Sequence, residues 1–160
     1  MLLYATTMLR SMEVTAEELE HTLAAFVRAF GLHQGEQTPC GVNVSVSEAH
    51  ALTELARTDG LTQGELVVFL KLEKSTVSRL VTGLGERGWL EREVHPSDGR
   101  AYLLKLTTEG KQKALQIAKA RRAKFEALTR SLPETKRAAV LSALSTLVEA
   151  LHEASENCPA

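Results

Sequence analysis

The sequence predicts a mostly α protein of the α+β kind, about six helices with one two-stranded β-hairpin, on three observations. Apolar residues recur at four-three-four helical spacing near both ends, at Leu19, Leu23, Phe26 and Phe30 and again at Val140, Leu144, Leu147 and Leu151. Three short helical segments, two of them headed by capping residues, lie between them, upstream of Gly88. The stretch HPSDGRAYLLKLTTEG, residues 95–110, then sets four turn formers, Pro96, Ser97, Asp98 and Gly99, before an alternation of Tyr102, Leu104 and Leu106.

The first helix is expected over about Thr15 to Phe30, with Glu17 and Glu18 in its positive first turn. GLHQGEQTPCGVNVSV has three glycines, a proline and no helical period, which reads as a linker. Ser47 is the expected cap of a second helix that buries Ala49, Leu52 and Leu55 or Ala56 and closes at Gly60. Thr62 caps a third, and Lys74 to Arg87 form a fourth with Val77, Leu80, Val81 and Leu84 on one face. WLEREVH and RAYLLKL are the two strands, too short to be stable unless packed on the helices. A long basic helix runs from Thr108 to about Arg130, and Pro133 opens the last helix at its favoured first position.

With 160 residues the chain accommodates one domain with extensions. No apolar run approaches the roughly 20 residues needed to span a bilayer, and MLLYATTMLRSM lacks the basic start and long apolar core of a secretory signal, so a cytoplasmic protein with no membrane partner is expected. Cys40 and Cys158 have no CxxC spacing, so neither a disulfide framework nor a zinc ribbon is suggested. No phosphate loop, nucleophile elbow or paired-carboxylate motif is found, so no enzyme and no catalytic residues are expected.

Helix, helix, turn, helix, hairpin is the order of a winged helix-turn-helix, here over residues 47–107. With its apolar face buried, the helix after the turn exposes Ser75, Thr76, Ser78, Arg79 and Thr82, with Lys74 at its start. Short hydroxyl side chains let a helix approach base edges closely in a major groove, and a guanidinium at Arg79 reaches guanine or phosphate. From Leu61 to Lys111, eight basic residues stand against seven acidic ones, a net of +1, so DNA binding would rest on placed contacts more than on a broad field. A second basic cluster, KARRAK at residues 119–124, reads as a solvated face or a partner for the acidic first helix.

KSTVSRLVTGLGERGWLEREVHPSDGRAYLLKLTTEG resembles the recognition helix and wing of the multiple-antibiotic-resistance regulator (MarR) family. The family's wing pattern is met by Asp98, Arg100, Leu104, Leu106, Thr107 and Gly110, and SEAHALTEL and LTQGEL resemble its second and third helices, so the likeness covers about residues 15–155. The resemblance implies a homodimer built from residues 15–30 and 108–155, in which Leu19, Leu23, Phe26, Phe30, Val140, Leu144, Leu147 and Leu151 would pair. It also implies two winged domains on a pseudo-palindromic operator in double-stranded DNA, and repression relieved by a small-molecule effector between dimer helices and winged domain. No cofactor is implied.

Unpaired apolar seams independently call for a partner, the rival being packing of the first helix on the last. Arg100 would enter a narrow minor groove, braced by Asp98 across Gly99. The turn LKLEKS departs from the family, which often has Gly at Lys71 and a better cap than Glu73. A left-handed Lys71 costs on the order of 1 kcal/mol. Two sensing variants and one rival remain. Cys40, Glu48 and His50 resemble part of the family's zinc sites, but no His-xxx-His pair completes a ligand set on the long helix, and no metal is expected. The cysteine of the family's hydroperoxide sensors at the start of the first helix is lacking. A winged module used only for protein contacts would need neither Arg100 nor the hydroxyl row.

Overall fold

A computed structural model describes residues 14–33, 35 and 37–157. The opening residues read as a non-signal, and Cys158, lie outside the described residues. The order is α1 (Ala16–Phe30), α2 (Val46–Leu55), β1 (Leu61–Thr62), α3 (Gln63–Leu70), α4 (Lys74–Glu86), β2 (Leu90–His95), β3 (Asp98–Leu106), α5 (Thr108–Ser131) and α6 (Glu134–Asn157). The strands form one antiparallel sheet in the order β1-β3-β2, so the expected two-stranded hairpin carries a third, two-residue strand at its base.

Three helices begin with a reciprocal capping box, at Thr15 with Glu18, Ser45 with Glu48 and Thr62 with Glu65. The second corrects the expected cap: Ser45, not Ser47, accepts the Glu48 N–H at 3.2 Å, while Glu48 accepts the Ser45 N–H at 2.8 Å. α2 also ends at Leu55, short of Gly60, and Ala56 is exposed while Ala49, Ala51, Leu52 and Leu55 are buried. The preceding linker is anchored rather than slack. Thr38 is buried, its hydroxyl donates to the Val42 carbonyl at 3.2 Å and accepts the Val42 N–H at 3.0 Å, and Val42 and Val44 enter the core. α6 starts at Glu134, just after Pro133, whose carbonyl accepts the Lys136 N–H at 2.9 Å.

The Thr62 box has a pH signature. Glu65 accepts the Thr62 N–H at 2.7 Å and its hydroxyl at 2.8 Å, which holds the carboxyl below its ordinary pKa. A lowered folded pKa contributes stability that is complete above the ordinary carboxylate value and is lost as pH falls through the lowered one. Thermal melts between pH 3 and pH 7 are expected to show that loss, and Glu65→Gln, which still accepts but cannot ionise, is expected to flatten it; an unchanged slope would remove the box from the account.

The described residues fall into two compact units, one reaching Ile117 and one starting at Ala118. In the first, Leu52 of α2, Leu66 of α3, Val77, Val81 and Leu84 of α4, Leu104 of β3 and Ile117 of α5 are fully buried, which makes one core beneath the sheet. α1 buries none of its residues. In the second unit no described residue is buried, Phe125, Leu128, Leu141, Leu144, Val148 and Leu151 being exposed, and Arg122 pairs at 3.9 Å with Glu126 on its own helix.

Candidate nucleic-acid interface

α3 and α4 are joined by Lys71, Leu72 and Glu73. Lys71 is the one non-glycine described residue with positive φ, at 51°, and closes α3 in the left-handed conformation that the sequence suggested at a cost. Glu73 makes no side-chain capping bond to α4. Lys71→Gly is therefore expected to raise stability by up to about 1 kcal/mol in denaturant melts; a loss would show that Lys71 has contacts worth more than its strain.

α4 divides as its periodicity predicts. Val77, Val81 and Leu84 are buried and Leu80 is half-buried, which turns Lys74, Ser75, Ser78, Arg79 and Thr82 outward; Thr76 is half-buried. The Arg79 Nε lies 3.4 Å from the Ser75 carbonyl, a long bond that lays the side chain back along the helix. The Thr82 hydroxyl donates to the Ser78 carbonyl at 3.0 Å, which leaves its lone pairs and methyl facing out. The exposed face is thus one of short hydroxyls with a guanidinium and an ammonium.

The wing differs from the sequence reading in a way that bears on Arg100. The turn is two residues, Pro96–Ser97, closed by the pair His95 and Asp98, so Asp98 and Gly99 belong to β3 and not to the turn. The Ser97 N–H and hydroxyl lie 3.3 and 3.2 Å from His95 Nδ1. Proline fixes φ near −65°, and neither turn residue has positive φ, so this is not the primed turn whose twist matches a hairpin.

The register absorbs the mismatch: Val94 pairs with Tyr102, but the next pair is His95 with Asp98, so Gly99, Arg100 and Ala101 have no opposite residue on β2. Arg100 is therefore the middle residue of a three-residue bulge, exposed, where a bulge re-aims a side chain out of the ladder. Gly99 has no neighbour within 4 Å of a Cβ placed on it and no positive φ, so nothing local requires glycine there. The side chain of Asp98, expected to brace Arg100, lies outside the described residues.

Two basic residues of this region are paired with carboxylates. Arg87 binds Glu48 at 2.7 Å and Lys105 binds Glu93 at 2.9 Å, a bond that raises the lysine pKa. Sequence reasoning gave no site role to Gln63, Arg92 and Tyr102, which with Thr62, Ala101 and Leu104 line a groove of about 260 Å³ between the first turn of α3 and the wing. Its walls come from four separate elements, and only the outward position of Arg92 on β2 could have hinted at it. Tyr102, read as part of the apolar row, is exposed beyond the buried Leu104 and Leu106.

The cysteine and acid set divides differently from a metal site. Glu48 holds Ser45 and Arg87, the Cys40 thiol lies 3.1 Å from the Thr38 hydroxyl, and among the described residues no three His, Cys, Asp or Glu side chains converge.

A helix-turn-helix with an exposed polar second helix and a β wing defines the winged-helix class of DNA-binding proteins. A model of the MarR family matches residues 42–101. An uncharacterised HTH-type transcriptional regulator of Mycobacterium leprae is 32% identical over 113 residues, 69% of this chain and 77% of the relative. Similar folds are the FabT of Streptococcus pneumoniae, solved with DNA (TM-score 0.70, 20% identity, 84% of this chain and 94% of that one), and the apo MarR of E. coli (TM-score 0.65, 22% identity, 85% and 98%). The chain belongs to the MarR family of transcriptional regulators.

Proposed function

We propose that this regulator binds a pseudo-palindromic operator as a homodimer and acts as a repressor relieved by a small molecule. The observation that carries the reading is the division of α4, with apolar residues in the core and hydroxyls, Lys74 and Arg79 left outside, beside a wing whose bulge presents Arg100. In it, Lys74, Ser75, Thr76 and Thr82 position the helix on phosphates, Ser78 and Arg79 read base edges, and Arg100 enters the minor groove with Asp98 as its brace. Gly99 leaves the bulge bare enough for close approach of the sugar-phosphate backbone.

The dimer reading is supported by exposure: Leu19, Phe26, Val140, Leu144 and Leu151 are exposed and Leu23, Phe30 and Leu147 only half-buried within one chain. A two-fold partner covers such seams and sets two recognition helices about 34 Å, one DNA turn, apart. A chain whose described helices include none long and apolar enough to cross a membrane is compatible with work on cytoplasmic DNA. The FabT neighbour was solved in complex with DNA, which agrees with this use of the fold.

Selection of bound fragments from a genomic duplex library, followed by footprinting, tests the reading. The expected result is an enriched site with a symmetric footprint; no enriched duplex would overturn it.

A further inference from the structure

The two faces of the wing differ in charge. Side chains alternate between the faces along a strand, and residues opposite one another in an antiparallel pair share a face. Glu91 lies across from Lys105 and Glu93 across from Leu103, so one face carries both glutamates. Lys105 is bonded to Glu93 at 2.9 Å, and its pKa is raised by that bond and then by the charges of Asp59, Glu93 and Glu91, so one cation there meets three carboxylates.

Arg92 lies across from Leu104 and Val94 across from Tyr102, on the other face. Leu104 is buried while Arg92, Val94 and Tyr102 are exposed, so this face runs from the core out to solvent. Arg92 stands between Glu91 and Glu93 in the sequence, yet the pleat puts both on the opposite face, and among the described residues it makes no hydrogen bond or ion pair. The groove of about 260 Å³ opens on this side, with Arg92, Tyr102 and Ala101 on the wing facing Thr62 and Gln63.

The acid at the start of α3 is already engaged: Glu65 accepts the Thr62 N–H and hydroxyl at 2.7 and 2.8 Å, and His95 also favours its ionised form. The acid of the turn, Asp98, stands across from His95 on the far side of the three bulge residues. The groove is smaller than the roughly 300–1,000 Å³ of sites that enclose an organic ligand. Its side-chain donors are a guanidinium, an amide and a phenol, and a guanidinium fork matches two oxygens of a phosphate.

We propose that this groove seats one phosphate of the DNA backbone, with Arg92 as the charged contact and Gln63 and Tyr102 as neutral donors, and that the acidic face of the wing is turned away from DNA. Ala101, which follows Arg100, lines the same groove, so the phosphate belongs to the strand bordering the minor groove that Arg100 enters. This rests on the DNA-binding reading above and deepens it, because it fixes which side of the wing meets the backbone.

The test is fluorescence anisotropy of full-length protein on the selected duplex, with single phosphates replaced one at a time by neutral methylphosphonates, and melts of each variant to check folding. Parent protein is expected to lose affinity at least threefold at one such phosphate in each half-site. Arg92→Gln is expected to lose at least threefold on the unmodified duplex, to shallow the salt dependence by about one unit per half-site, and to be indifferent to the methylphosphonate that the parent senses. Arg92→Lys, which keeps the charge without the fork, is expected to restore the salt dependence and part of the affinity. Glu91→Gln, on the opposite face, is expected to change affinity less than twofold.

Unchanged affinity in Arg92→Gln, or a variant that still senses every phosphate the parent senses, would overturn the groove while the DNA reading stands. A gain of threefold or more in Glu91→Gln would overturn the assignment of faces. A parent that selects no duplex would refute the DNA reading itself, and the groove with it.

Discussion

Gly110→Ala is expected to destabilise the winged unit by on the order of 3 kcal/mol, the upper end for overpacking a rigid interior. Gly110 is buried in the first turn of α5 against the backbone of Trp89, and a Cβ there would fall inside the envelope of the Trp89 carbonyl oxygen. The neighbour cannot swing aside, because that carbonyl accepts the Thr107 N–H at 3.2 Å while the Thr107 hydroxyl donates to the Gly88 carbonyl at 2.6 Å and accepts the Gly110 N–H at 3.1 Å. Separating the backbones breaks this set and parts α5 from the base of the wing. Chemical denaturation of the variant measures the loss; a change below about 0.5 kcal/mol, the scale of a neutral surface substitution, would refute the joint.

Arg100→Ala is expected to weaken binding by about tenfold or more across unrelated duplexes and to shallow the salt dependence by about one unit. Its position at the middle of a bulge, away from the buried face of β3, predicts that the variant melts like the parent. Arg79→Ala, on the exposed face of α4, is expected to lose affinity by a similar factor but with altered preference at one base position in each half-site. Equal affinity of parent and Arg100→Ala on every duplex would remove the wing from the interface.

Much of this architecture is legible in the residue order because its signals are local. Thr62 as a helix cap, the four-three spacing of Val77, Val81 and Leu84, and the poor match of Lys71 to the turn are each read within a few residues, and each stands in the structure. The Ser45 box was legible too, since Glu48 follows three residues later, but the neighbouring Ser47 is an equally good cap by residue type.

β1 has only two residues, too few for any alternation, and exists because Leu61 and Thr62 meet Leu104 and Leu103. The wing bulge follows from the conflict between a proline turn and the twist of the strands, which residue preference alone does not resolve into a register. Glu48 and Arg87 lie thirty-nine positions apart in the chain, and only the folded core brings them together.

In the proposed complex α4 reads sequence while the wing reads groove shape. The most direct measurement is fluorescence anisotropy of the selected duplex and of single-base variants of it, with parent, Arg79→Ala and Arg100→Ala proteins over a salt series. Arg100→Ala is expected to lower all affinities in parallel, whereas Arg79→Ala is expected to change their order. Parallel losses in Arg79→Ala, or a reordering produced by Arg100→Ala alone, would contradict it.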